Sequence, residues 1–165
     1  MTVEAKICGL STPETVDAAV AAGAQYVGFV TFPASPRHVV SVEALRVLGS
    51  RVPAGVVRVG LFVDPDDALI DEKVATGALD LLQLHGAETP ERVVALKART
   101  GKSIMKVIKV TAAGDVERGI AAYASISDLL MFEPAEGILP GGNGKPFDWT
   151  ILSGRTVPVP WMLAG

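Results

Sequence analysis

Lys6 and Cys8 stand two residues apart in "AKICGL" (5–10), a short apolar run that holds the only cysteine of the chain. Two further reactive groups also close apolar runs: His85 ends "LLQLH" (81–85) and Glu133 ends "LLMFE" (129–133). Thiol, imidazole and carboxyl are the side chains that move protons in catalysis. Singly, each has a plainer role. A lone strand cysteine behaves as a small buried hydrophobe, a histidine after a strand as a hydrogen-bonding group, and a strand-end glutamate as a solvated loop residue. Their common place, at the end of an apolar run, points instead to acid–base chemistry at a shared position in the fold.

The elements that carry them alternate. Strands are expected at 4–9, 26–32, 58–63, 79–86, 103–110, 128–133 and 159–165. Between them lie Ala-rich helical segments at 11–23, 41–50, 64–77, 89–101 and 113–124, the last the weakest, and a short helix at 147–154 after a Gly- and Pro-rich loop. Ser11 or Thr12 before Pro13, and Thr89 before Pro90, are helix-start signals; Gly23 suits a helix end. Acidic residues weight the front of 64–77, as a helix dipole prefers. Strand–helix alternation with near-continuously apolar strands argues for a parallel sheet covered on both faces.

Two architectures fit: a doubly wound open sheet or a (β/α)₈ barrel. "CGLSTPE" lacks the glycine pattern of a dinucleotide loop. "GGNGKPF" (141–147) fails the phosphate-loop pattern because Pro146 follows Lys145. The barrel is favoured. Strand side chains alternate faces, so Lys6 and Cys8 share one face, Leu81, Gln83 and His85 another, and Leu129, Met131 and Glu133 a third. The opposite, apolar faces suit the helix layer. In a barrel the C-terminal strand ends form the rim that carries chemistry. Cys8, His85 and Glu133 are therefore expected at one mouth.

Composition narrows the field. The chain has 165 residues, 49% hydrophobic and 20% charged, with a net charge of −3. This is an ordinary globular balance and long enough for one domain. No basic stripe is interleaved with Trp149 or Trp161, which argues against nucleic acid. No apolar run reaches a membrane span of about 18 residues, and no signal peptide is evident. One cysteine makes no internal disulfide, so a cytoplasmic location is expected. His38, His85 and Cys8 have no metal-ligand spacing.

The stretches "KICGL" (6–10), "VGFVTFPASPRHV" (27–39), "RVGLFV" (58–63), "LLQLHGAETPE" (81–91), "PGGNGKPFDW" (140–149) and "LAG" (163–165) run in order along a chain that resembles the phosphoribosylanthranilate isomerases of tryptophan biosynthesis. The resemblance implies a TIM (β/α)₈ barrel and an Amadori rearrangement. In that reaction N-(5-phosphoribosyl)anthranilate becomes 1-(o-carboxyphenylamino)-1-deoxyribulose 5-phosphate, without cofactor or metal. It further implies Cys8 as the base at C2′, with Lys6 beside it. Arg37 of "SPR" grips the anthranilate carboxylate, and Gln83 and His85 line the pocket. The family's acid is an aspartate at the end of the sixth strand. Here Glu133 takes that place, with Glu136 a second candidate, and the loop that follows is about two residues shorter.

The resemblance also implies a single, incomplete domain over 1–165, with about six βα units and a seventh strand. The substrate phosphate is expected in the loops after strands seven and eight. Open sheet edges of such a partial barrel suit self-association. The alternatives are a non-catalytic partial barrel of the same family, and another barrel enzyme acting on a sugar phosphate. "KICGL" with "SPR" disfavours the latter. Lys106 and Lys109 alternate to opposite faces, so at most one points inward as a Schiff-base lysine would.

Overall fold

The computed structural model describes residues 3–135 and 148–164. The elements follow in the order β1 (Lys6–Cys8), α1 (Pro13–Ala21), β2 (Tyr26–Val30), α2 (Val42–Ser50), β3 (Val57–Phe62), α3 (Asp67–Val74), β4 (Leu81–Leu84), α4 (Pro90–Thr100), β5 (Ser103–Val110), α5 (Ala113–Tyr123), β6 (Leu129–Pro134), a 3₁₀ turn (Trp149–Leu152) and β7 (Trp161–Leu163). The chain divides into two compact units, Met1–Gln83 and Leu84–Gly165.

In the first unit β1 pairs with β2 and β2 with β3, all parallel and in chain order. Cys8 stands in register with Gly28, and Gly28 with Val59. Local chemistry sets the helix ends. The Thr12 hydroxyl accepts from the Thr15 N–H at 3.3 Å, and the Ser41 hydroxyl from the Ala44 N–H at 3.0 Å. α3 begins at Asp67, three residues later than the acidic run suggests, because Asp66 is the cap and accepts from the Leu69 N–H at 2.8 Å. Asp64 sits at φ 44°, so the chain there turns rather than coils. Phe29 and Phe62 are fully buried. β1 departs from expectation: Ile7, on the face assigned to the helix layer, is 44% exposed. β1 is three residues long and pairs with β2 alone in this unit, too little structure to bring a cover onto that face.

In the second unit β5, β6 and β7 pair parallel and in chain order, with Lys109 in register with Glu133 and Ile108 with Phe132. Ile108, Val110, Leu130 and Phe132 pack with Val116 of α5 into a core. Gly119 lets α5 approach closely, since a Cβ there would stand 2.5 Å from Ile108 Cγ2. Phe132 meets Trp161 edge-on at 5.9 Å. α4 matches its signals: Thr89 caps it, Pro90 opens it, and Gly101 ends it in the left-handed region. α5 is a full helix of 11 residues. Its cap residue, Ala112, has no side chain to offer. Instead the Asp115 carboxylate reaches back and accepts from the Thr111 and Ala112 N–H groups at 2.8 and 2.9 Å. The short helix expected at 147–154 is the 3₁₀ turn, and Asp148 caps it through the Thr150 N–H at 3.0 Å. All of "GGNGKPF", and Glu136, lie outside the described residues.

Candidate active site

The first unit gathers Lys6, Cys8 and Arg37 around two glycines. Register puts Gly28 beside Cys8, and it leaves room for what faces it: a Cβ on Gly28 would lie 2.7 Å from Cys8 Sγ and 3.2 Å from Lys6 Nζ. The thiol and the ammonium thus occupy the space over one residue, as strand alternation requires. At the end of β1 the chain bends back. The Gly9 and Leu10 N–H groups both donate to the Gly28 carbonyl, at 2.9 and 3.0 Å. Gly9 takes φ 83°, open to glycine at little cost. Arg37 lies across it: a Cβ on Gly9 would stand 2.6 Å from Arg37 Cδ and 3.3 Å from both Nε and Nη1.

Arg37 comes from the loop after β2. The Ser35 hydroxyl accepts from the Arg37 N–H at 3.2 Å, and the Val39 N–H donates to the Val30 carbonyl at 2.8 Å. These bonds fold the loop back onto its own strand. Lys6, Cys8 and Arg37 are each partly exposed, open to a ligand yet fixed at their bases. Neighbouring His38 is pushed below its ordinary pKa by burial and by the Lys73 cation, which favours its neutral form. Gln83, the last residue of this unit, is buried on β4.

The second unit brings His85 and Glu133 together. His85 Nε2 and Glu133 Oε1 are 2.5 Å apart and share a hydrogen, with the two side chains 1% and 7% exposed. Glu133 is therefore not a solvated strand-end residue. Its carboxyl is buried and aimed at an imidazole. Lys109, its register partner on β5, is exposed.

Lys106 went unread as a site residue, and it lies on the opposite face of β5. Its ammonium pairs with Glu88 Oε2 at 2.7 Å and donates to the Gly86 and Leu84 carbonyls at 2.8 and 3.3 Å. It also stands 5.5 Å from the ring centre of Tyr123. Glu88 Oε1 accepts from the Gly86 N–H at 3.0 Å, and the Tyr123 hydroxyl donates to the Glu88 carbonyl at 2.9 Å. Burial, reinforced by Glu88 and Glu91, pushes the Tyr123 phenol above its ordinary range, so it stays a donor. Alternation had already separated Lys106 from Lys109. The signal for its role was a glutamate three residues beyond the histidine of "LHGAE", whose partner a single sequence does not reveal.

Among the described residues no group of three or more His, Cys, Asp or Glu side chains is placed to hold a metal ion, and no helix is long and apolar enough to cross a membrane. What the two units offer is proton transfer: a thiol beside an ammonium and a guanidinium in one, a buried carboxyl on an imidazole in the other.

Parallel strands with crossover helices, and polar groups at the strand ends, define an α/β enzyme of the TIM-barrel class. The phosphoribosyl anthranilate isomerase of Thermotoga maritima superposes with a TM-score of 0.86 at 30% identity, over 99% of this chain and 77% of that one. A phosphoribosyl anthranilate isomerase in complex with reduced 1-(o-carboxyphenylamino)-1-deoxyribulose 5-phosphate superposes with a TM-score of 0.76 at 29% identity, over 92% of this chain and 69% of that one. The N-(5'-phosphoribosyl)anthranilate isomerase of Paracoccus denitrificans is 50% identical over 168 residues, covering 100% of this chain and 77% of the relative. Residues 5–165 match the N-(5'-phosphoribosyl)anthranilate (PRA) isomerase family. The chain belongs to that family of intramolecular isomerases of tryptophan biosynthesis, and carries a partial TIM-type barrel.

Proposed function

We propose that this chain converts N-(5-phosphoribosyl)anthranilate to 1-(o-carboxyphenylamino)-1-deoxyribulose 5-phosphate, with residues 1–165 acting as one incomplete barrel domain. Glu133 is the acid. It gives a proton to the ring oxygen of the ribose, the C1′–O bond breaks, and the anilino nitrogen supplies the electron pair that leaves an iminium. Cys8, as thiolate, then takes the C2′ proton. The C2′–H electrons form the enolamine, which tautomerises to the ketone, and no net proton is gained or lost. Arg37 holds the anthranilate carboxylate, for which a guanidinium fork is matched. Lys6 sets a positive charge beside the base. Gln83 and His85 line the pocket, and His85 also orients the acid.

The observation that carries the assignment of the acid is the buried 2.5 Å contact between His85 and Glu133. A glutamate reaches roughly 1.5 Å farther than an aspartate, and misplacement by about 1 Å costs on the order of 10² in rate. The contact with His85 fixes where the longer side chain ends. For the base, the support is Cys8 beside Lys6 over a glycine that leaves them room. Open strand edges suit self-association: in its own unit β1 pairs with β2 alone, and β7 with β6 alone.

The test is an assay that follows loss of the anthranilate fluorescence of the substrate with the purified chain. Turnover should appear, and Glu133→Gln should lower it by about 10²- to 10⁴-fold. A Glu133→Gln chain as fast as its parent removes the acid assignment. A parent chain without turnover at high concentration removes the activity and leaves a non-catalytic partial barrel. The mass of the chain in solution, measured over a range of concentrations, reads self-association directly.

A further inference from the structure

The two carbonyls that flank His85 both point at one buried ammonium. Lys106 Nζ accepts no role in the chemistry just described, yet it holds the Leu84 carbonyl at 3.3 Å and the Gly86 carbonyl at 2.8 Å. Glu88 completes the clamp from the other end: Oε2 takes Lys106 at 2.7 Å while Oε1 takes the Gly86 N–H at 3.0 Å. The peptide groups on either side of His85 are thereby fixed from one face of the chain. The imidazole leaves from the other face and meets Glu133 at 2.5 Å.

The pair itself is deeply buried, with the Lys106 and Glu88 side chains 3% and 1% exposed. Taking both ions out of water is costly, and a buried pair often gains a fold little over well-packed apolar residues of the same volume. Stability alone is thus a weak reason for a lysine in the middle of a strand. Geometry is a better one. A strand end without its clamp would let the first residue of the β4–α4 connection rotate, and a ring at the end of that lever moves furthest.

We propose that Lys106 and Glu88 are positioning residues: their buried ion pair sets the orientation of His85 and, through it, the place of the Glu133 carboxyl. Neither touches the substrate. The inference rests on the reading of Glu133 as the acid for its consequence in catalysis, but its structural half stands without turnover. Tyr123 belongs to the same device, since its hydroxyl holds the Glu88 carbonyl at 2.9 Å and its ring stands against the Lys106 ammonium.

The experiment uses side-chain nitrogen and proton NMR of the histidines in the full chain, together with kcat and KM. Only His38 and His85 are present, so His38 is the internal reference. Glu133→Gln defines the His85 signal when the carboxyl beside it becomes a neutral amide. In the double variant Lys106→Met/Glu88→Leu, which removes both charges and leaves none unpaired, the His85 signal should move toward that of Glu133→Gln. The His38 signal should stay, and kcat should fall by about 10- to 100-fold with KM changed less than about threefold. Glu88→Gln keeps the shape and an acceptor for the Gly86 N–H, and should give a smaller shift of the same sign. It is the variant to read if the double variant does not fold. Lys97→Met breaks the pair with Asp128 in the same unit and should leave the His85 signal in place, which separates positioning from general loosening. A folded variant of the clamp with the His85 signal unmoved overturns the proposal. So does a loss of kcat that Lys97→Met reproduces equally. A moved His85 signal in a chain without turnover keeps the clamp and removes the isomerase reading.

Discussion

The two ends of the proposed chemistry are built in opposite ways. Around Cys8 the reactive groups are partly exposed and kept apart by absence: Gly28 and Gly9 supply space, and the side chains of Lys6, Cys8 and Arg37 fill it. Around Glu133 the groups are buried. The carboxyl meets an imidazole, and the imidazole's own backbone is gripped by a buried ion pair. The difference follows from the groups themselves. In the proposed chemistry a thiol that reaches for a C2′ proton needs clearance, whereas a long, flexible glutamate that delivers a proton to one atom needs restraint.

Three substitutions test that contrast, in falling order of effect, and a fourth tests the cap of α5. Cys8→Ala removes the base and should cut kcat by about 10³-fold, within the range that positioned proton transfer contributes, while thermal unfolding stays within a few degrees of the parent. An unchanged rate would reduce the first end to packing. Gly28→Ala places a methyl 2.7 Å from Cys8 Sγ and 3.2 Å from Lys6 Nζ. It should cost about 10²-fold in kcat through displacement of the thiol, and a harmless Gly28→Ala would show that the clearance is not needed. Arg37→Lys keeps the charge but loses the planar fork. It should raise KM about tenfold with kcat nearly unchanged, as measured by steady-state kinetics.

The smallest effect is on stability rather than rate, and it belongs to the second unit. Hydrogen bonds from the Thr111 hydroxyl and from the Thr111 and Ala112 N–H groups, with the Arg118 charge adding, hold Asp115 well below the usual carboxylate range. A carboxylate with a depressed folded pKa stabilises above its unfolded pKa of about 4, and that contribution fades as pH falls toward the folded value. Asp115→Asn should therefore melt below the parent at pH 7, and the gap should close at strongly acid pH. A gap that does not depend on pH would mean that the helix end is held by shape alone.

The sequence carried the strand–helix alternation and most of the ends that depend on local chemistry. Thr89, Pro90 and Gly101 frame α4 in the order their types suggest, and Ser103–Val110 is β5 as read. Local signals misled where a side chain acts at a distance along the chain. The segment 113–124 is the weakest helix in the sequence; Ala112 cannot cap it, but Asp115 supplies the cap from inside the helix. α3 looked longer because the acidic run beginning at Asp64 includes a turn residue of positive φ. At the site, alternation placed Cys8 with Lys6 and separated Lys106 from Lys109. It could not show that Glu133 is buried, or that Glu88 is the partner of Lys106. Those pairings join residues 48 and 18 positions apart, and nothing local in the chain records them.

The central claim is that Glu133 opens the ring and Cys8 then takes the C2′ proton, and the deuterium isotope effect on kcat with C2′-deuterated substrate tests it most directly. Glu133→Gln slows ring opening, the step before C2′–H cleavage, so its isotope effect should fall toward unity. Cys8→Ser slows the cleavage itself and should show a full primary effect, larger than the parent's. The reverse pattern, or the same effect in both variants, would contradict the account.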